Sequence, residues 1–172
     1  MANINKRTGT DANISVEIDP SAPGTIIRIA LAAESAFNVF MAIPMIFNAK
    51  EALGRMYLSD GNPVAPHAAS MMQLFGISLA AMTVPMVLAI PNKVGAIETR
   101  RTTYQMLSSF EVFALPLSCW QAWVAGEAGS GLNPDKVIWG LGMGMGVALG
   151  FRAWVLLVKP EWMGKYRAKR VD

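Results

Sequence analysis

The sequence predicts an all-α integral membrane protein built as a four-helix bundle. Four apolar segments of spanning length, few charged residues and a one-sided distribution of basic residues support that expectation. The segments cover residues 25–47, 67–90, 103–125 and 137–158. A helix rises about 1.5 Å per residue and the hydrocarbon core is about 30 Å thick, so roughly 20 residues cross it. Asp, Glu, Lys and Arg make up 16% of the chain, against roughly 25% in soluble domains. The second segment contains none of them, which argues against a soluble helical protein with buried core helices.

Residues 1–24 read as a polar cytoplasmic tail, 25–158 as the four-span domain and 159–172 as a basic cytoplasmic tail. The first tail has no apolar stretch of the kind a cleavable signal peptide needs, so the first span is expected to act as an uncleaved anchor. Pro20, Pro23 and Gly24 separate that tail, read as mobile, from the first helix.

With four spans, Lys6, Arg7, Lys93, Arg100, Arg101, Lys159, Lys165, Arg167, Lys169 and Arg170 share one side. The other side holds only Lys50, Arg55 and Lys136, so the bias places both termini in the cytoplasm. Trp120, Trp123, Trp139, Trp154 and Trp162 fall toward span ends, where indole rings favour the interface. In this orientation the acceptor site Asn13-Ile14-Ser15 stays unglycosylated. The tail Lys169-Arg170-Val171-Asp172 resembles a dilysine retrieval signal, which implies the endoplasmic reticulum in a eukaryotic cell.

Polar residues inside the spans are the candidates for function. Glu34 lies roughly 14 Å from the cytoplasmic end of the first span, Glu111 roughly 12 Å from that of the third, and Arg152 roughly 9 Å from that of the fourth. A charged side chain at the bilayer centre costs at least about 2.5–3.5 kcal/mol, so all three should face the bundle interior, paired or protonated. Arg28 is shallow enough to snorkel. Tyr104, Ser108, Glu111, Leu115, Ser118 and Ala122 follow helical spacing and form one inward stripe. Asn38 sits one turn beyond Glu34, and Gln73 lies where it could meet Asn38 or Gln121.

Two readings of these groups stay open. They act as interhelical hydrogen-bonding glue, or they line a polar pocket with a proton-active carboxyl. In the second reading Glu34 and Glu111 are catalytic, and Asn38, Gln73, Ser108 and Arg152 bind substrate.

Gly142, Gly146 and Gly150 recur every four residues and offer a ridge for close helix packing, inside the bundle or against partner helices. The surrounding GLGMGMGVALG string is not a nucleotide loop, because no strand precedes it and it lies in an apolar span. Pro44, Pro85 and Pro116 each interrupt a span. Cys119 and His67 are the only residues of their kinds, which excludes an internal disulfide and disfavours a cysteine or histidine metal site. No cofactor, metal or nucleic-acid partner is expected.

The end of the first span at Ile43-Pro44, the loop Gly61-Asn62-Pro63 and the segment LFGISLAAM around Gly76 resemble small four-helix membrane proteins of the DoxX-like kind. The resemblance implies the bundle over most of the chain. Some members of that group are proposed as membrane partners of quinone-linked oxidoreductases. Glu34 and Glu111 match no signature of the group, so no site residue carries over.

Three functional classes follow, in order. The first is a membrane subunit or scaffold that binds lipids or partner helices. The second is a compact membrane isomerase, cyclase or hydrolase acting on a lipophilic substrate, with an intramembrane glutamate as general acid. The third is a transporter or proton-conducting element, which needs polar groups reaching both surfaces.

Overall fold

The computed structural model describes residues 16–168. The expectations on Lys6, Arg7, the Asn13-Ile14-Ser15 site and the Lys169 to Asp172 tail lie outside the described residues. The chain is mostly helical, and three helical stretches are long and apolar enough to cross a membrane: Thr25–Phe47, Pro66–Leu88 and Lys136–Leu157. The third expected segment, 103–125, overlaps a helix of 25 residues, Ala96–Trp120, that is as long as the others or longer but more polar, and ends in the π-helical stretch Gln121–Ala125.

Helix α1 (Thr25–Phe47) begins after Gly24, whose φ of 72° is left-handed. A Cβ at that position would stand 2.5 Å from the Met163 carbonyl oxygen, so conformation and space both require glycine. Asn48 ends the helix, its N–H bonded to the Pro44 carbonyl.

A short helix α2 (Ala49–Tyr57) follows where the sequence reading had only a loop. It buries Ala49, Ala52, Leu53 and Tyr57, a helical spacing that was present in the sequence. Helix α3 (Pro66–Leu88) opens on Pro66, which fits the first turn because its missing N–H is not needed there. α3 runs closely along α1, and Gly76 is a point of close approach. A Cβ on Gly76 would lie 2.8 Å from the Cβ of Met45.

Helix α4 (Ala96–Trp120) continues through a π-helical stretch, Gln121–Ala125, into the short α5 (Gly126–Ser130). Another π-helical stretch, Lys136–Gly142, leads into α6 (Met143–Leu157), which packs along α4. Two loops are tied together at the α2 end. Asn133 donates its backbone N–H to the Tyr57 carbonyl at 2.7 Å, and Asn62 donates to Glu127 at 3.0 Å.

The opposite end is closed by the chain's flanks. Strands β1 (Val16–Ile18) and β2 (Tyr166–Ala168) pair antiparallel, with Glu17 opposite Arg167 and Ile18 opposite Tyr166. The Arg167 guanidinium reaches Glu17 at 2.7 Å, and the Tyr166 hydroxyl donates to Glu98. Residues 16–24 are therefore fastened to the far end of the chain, which differs from the mobile tail expected.

Arg100 holds this end together and is fully buried. The sequence reading treated it as a loop charge, yet it donates to the carbonyls of Ala89 (3.0 Å), Met163 (2.7 Å), Pro23 (3.2 Å) and Ile90 (3.3 Å). Arg28 also donates to Ile90, at 2.9 Å. The carbonyls just past α3 have no helical partners, and two cations complement the negative end of its dipole.

Apolar packing forms two clusters. Met45, Leu53, Tyr57, Met72 and Val137 gather at the α2 end, and Ile27, Leu31, Met86, Tyr104 and Val155 at the end carrying the strands. Outward faces are also apolar: Phe47, Phe113 and Leu157 are each at least 79% exposed.

Candidate functional site

Helical spacing brings the intrahelical charges together. Arg152 of α6 is buried and forks between two carboxylates, Nη1 donating to Glu111 Oε1 of α4 and Nη2 to Glu34 Oε1 of α1. Its guanidinium carbon lies 5.9 Å from the centre of the Tyr104 ring, within cation–π range. Tyr104 is in turn braced edge-on by Phe151, with ring centres 6.5 Å apart.

Arg28 does not join the cluster, since it is occupied at Ile90. The site thus holds two carboxylates and one guanidinium. Glu111 Oε2, Ser108 Oγ and Ser35 Oγ are buried without a hydrogen-bond partner. Such atoms are uncommon in folded proteins because each forfeits its hydration without replacement.

The two acids stand at the wall of a cavity of about 890 Å³. From Glu34, Asn38 and Glu111 it extends past Met41, Phe37, Phe75 and Phe110 to Arg55, Tyr57 and Lys136 near the α2 end. Along the last helix its wall runs from Lys136 to Ala148, roughly 18 Å at helical rise. The volume lies within the usual range for small-molecule sites, about 300–1,000 Å³, and the mix of apolar wall and few polar groups is also typical.

At the far end Lys136 is engaged, donating to Asp60 at 2.9 Å and to the Leu58 carbonyl at 2.7 Å. Burial pushes the Tyr57 hydroxyl above its usual pKa.

Among the polar residues expected from sequence, Glu34, Glu111 and Asn38 line the cavity. Arg152 stands behind the acids rather than in the wall. Asn38 directs its amide to the Met86 sulfur at 3.5 Å. Ser108 is close in sequence to Glu111, but it is not part of the wall.

Gln73 meets neither Asn38 nor Gln121. It donates to the Ile46 carbonyl at 2.9 Å, capping the end of α1, and borders a separate pocket of about 360 Å³ with Asn48 and Lys50. The Pro44 and Phe47 end of α1 leaves carbonyls without helical donors, and an amide on the closely packed α3 supplies one.

The glycine ridge divides. A Cβ added at Gly142 or Gly146 would lie 4.0 Å from the Leu115 side chain of α4, an ordinary contact distance, while one at Gly150 would meet nothing within 4 Å among the described residues.

Sequence reasoning missed most of the apolar wall. Phe37 follows Glu34 by three residues and Phe110 precedes Glu111, so both aromatics sit beside the acids. Arg55 and Lys136 were noted only as charges of the sparsely basic side, and that scarcity was the signal available.

No protein-family model matches this chain, and no curated protein or solved structure matches it either. The DoxX-like resemblance therefore has no family match behind it, and the site is read from its own chemistry.

Proposed function

We propose that this chain is a four-span membrane protein that binds a lipophilic molecule between its helices, acting as a lipid-binding subunit or scaffold. The cavity carries this reading: about 890 Å³ of mostly apolar wall that ends on Glu34 and Glu111. In that topology α4 supplies the third span, both termini face the cytoplasm, and the exposed Phe, Val and Leu side chains face lipid. Arg152 between two acids supports a structural role for the cluster, because it offsets one of the two negative charges that the apolar surroundings would otherwise penalise. Gly150 provides an open small-residue position for a partner helix, continuing the ridge of Gly142 and Gly146.

Extraction of the purified protein followed by mass spectrometry tests this function. A lipophile should co-purify with the wild type and be lost from Gly144→Leu. Gly144 lines the cavity and has open space where a side chain would go. Equal lipid content in both proteins would count against the cavity as the binding site.

A second reading is favoured by one observation, the buried and unpaired Oε2 of Glu111 beside the cavity. A carboxyl that retains a proton there is suited to general-acid catalysis on a bound lipophile, as an isomerase, cyclase or hydrolase would need. Glu111→Gln keeps the shape of the side chain and removes the transferable proton. Under this reading the lipid profile of a deletion strain complemented with Glu111→Gln should differ from that of the wild-type complement. Identical profiles would leave only the binding function.

A further inference from the structure

We propose that the ligand is a lipophilic amine, a protonated nitrogen on an apolar body, seated on Glu34 beside the buried Glu111. This rests on the cavity being a ligand site, as argued above, and adds the chemical class. The charge count points to it. Glu34 comes from α1, Glu111 and the neutral Tyr104 from α4, and Arg152 from α6, leaving one negative charge in excess. α3 contributes Phe75, Ser78, Leu79 and Met82 to the wall, none of them a titratable group. Among the described residues, the other cations near the cavity lie at its opposite end or are engaged elsewhere. Arg28 is bonded to Ile90, while Arg55 and Lys136 line the other end, with Lys136 paired to Asp60.

An excess charge amid apolar walls must be met by a proton or a cation. In the empty cavity one proton shared by the two carboxyls satisfies this. When an ammonium enters, its N–H groups donate to Glu34, the more exposed of the two carboxylates, its charge offsets the excess shared with Glu111 behind it, and the shared proton leaves to water. The total charge is the same before and after.

The rest of the wall selects the class. A metal ion would require several further oxygen ligands, whereas the neighbouring side chains are Phe37, Met41, Met82, Leu107 and Phe110. Such walls suit an apolar body, and aromatic rings also attract an ammonium. A fatty acid would add a second uncompensated negative charge.

Binding of octadecylamine, octadecanol and octadecanoate to the full chain in nanodiscs, against empty nanodiscs, tests the proposal. The amine should bind about tenfold or more tighter than the alcohol, because its hydrogen bonds to Glu34 are charge-assisted. Glu111→Gln should remove that advantage, bringing amine binding down to the level of the alcohol. Lowering the pH from about 8 to about 6 should weaken amine binding, by up to about tenfold per unit, because protons compete for the same carboxyls.

If Glu111→Gln does not fold, Glu34→Gln and the wild-type pH profile decide the matter. Amine binding no tighter than alcohol binding, or independent of both glutamates and of pH, would overturn the amine while leaving the cavity as a lipid site. If none of the three probes binds and no lipophile co-purifies, the cavity reading fails as well.

Discussion

Replacing Arg152 with leucine removes the cation from between two carboxylates and leaves the surrounding packing nearly the same size. Glu111 is buried, and Glu34 has a side chain 31% exposed, so neither is fully hydrated. Breaking a buried ion pair from one side costs about 3–5 kcal/mol. An independent bound comes from protonation, the cheapest escape for a stranded carboxylate. An ordinary glutamate titrates near 4.3 and each further pH unit costs about 1.36 kcal/mol, which gives about 3.7 kcal/mol at pH 7.

The two figures agree, and the second one depends on pH. At pH 5 the same protonation costs only about 1 kcal/mol, so about 2.7 kcal/mol of the loss should be recovered between pH 7 and pH 5. The sign follows from proton uptake: the folded variant binds a proton that the unfolded chain does not, so its stability rises as pH falls. Loss of the cation–π contact with Tyr104 adds a part that does not change with pH. Denaturant unfolding in detergent micelles at the two pH values measures both parts. Adding Glu34→Gln and Glu111→Gln to Arg152→Leu should remove the pH-dependent part. A loss that is the same at both pH values, or no loss at all, would refute the stranded-carboxylate reasoning.

Other outcomes follow from particular contacts. Gly76→Leu should destabilise by about 1–3 kcal/mol by forcing α1 from α3, read as a lower melting temperature; an unchanged melt would show that the helices part at little cost. Arg100→Lys keeps the charge but loses the planar fork that reaches four carbonyls. It should cost about 2 kcal/mol or more and speed proteolysis near residues 16–24, and resistance equal to wild type would count against the clamp. For topology, single cysteines in a Cys119→Ser background provide the check. A membrane-impermeant maleimide should label Asp60→Cys from outside intact cells and Lys93→Cys only after permeabilisation; the reverse pattern would invert the orientation.

The main helices were legible in the sequence because long apolar runs tolerate few alternatives, and the Glu34, Glu111 and Arg152 cluster because charge in such runs must be compensated. α2 is harder to read because it is short, and the spacing of Ala49, Ala52, Leu53 and Tyr57 covers only about two turns. The buried role of Arg100 was hidden for a different reason. Its acceptors come from Pro23, Ala89 and Met163, which are remote in sequence, and backbone carbonyls leave no residue-type signal. Gln73 was misplaced because its partner, Ile46, is also a carbonyl. The cavity depends on how the α1–α3 pair stands off from the α4–α6 pair, a three-dimensional fact that no single-helix pattern contains.

The proposed four-span topology requires α4 to cross the membrane although its composition falls short of the other three. Averaged over its length it is too polar, yet the average mixes two faces. Tyr104, Leu107, Glu111 and Ser118 are buried, and Phe113, Val112 and Leu117 are exposed. The polar groups of the outward face, Ser109 among them, are partly satisfied within the helix, as Ser109 donates to the Gln105 carbonyl at 2.8 Å. A helix that keeps its acid against Arg152 and presents phenylalanine and valine outward has the arrangement expected of a span lining an internal site. The same polarity that lowers its hydropathy supplies Glu111 to the cavity. The span formed by α4 and the candidate site are therefore one hypothesis: labelling that placed both ends of α4 on the same side would remove the apolar surroundings on which the role of Glu111 depends.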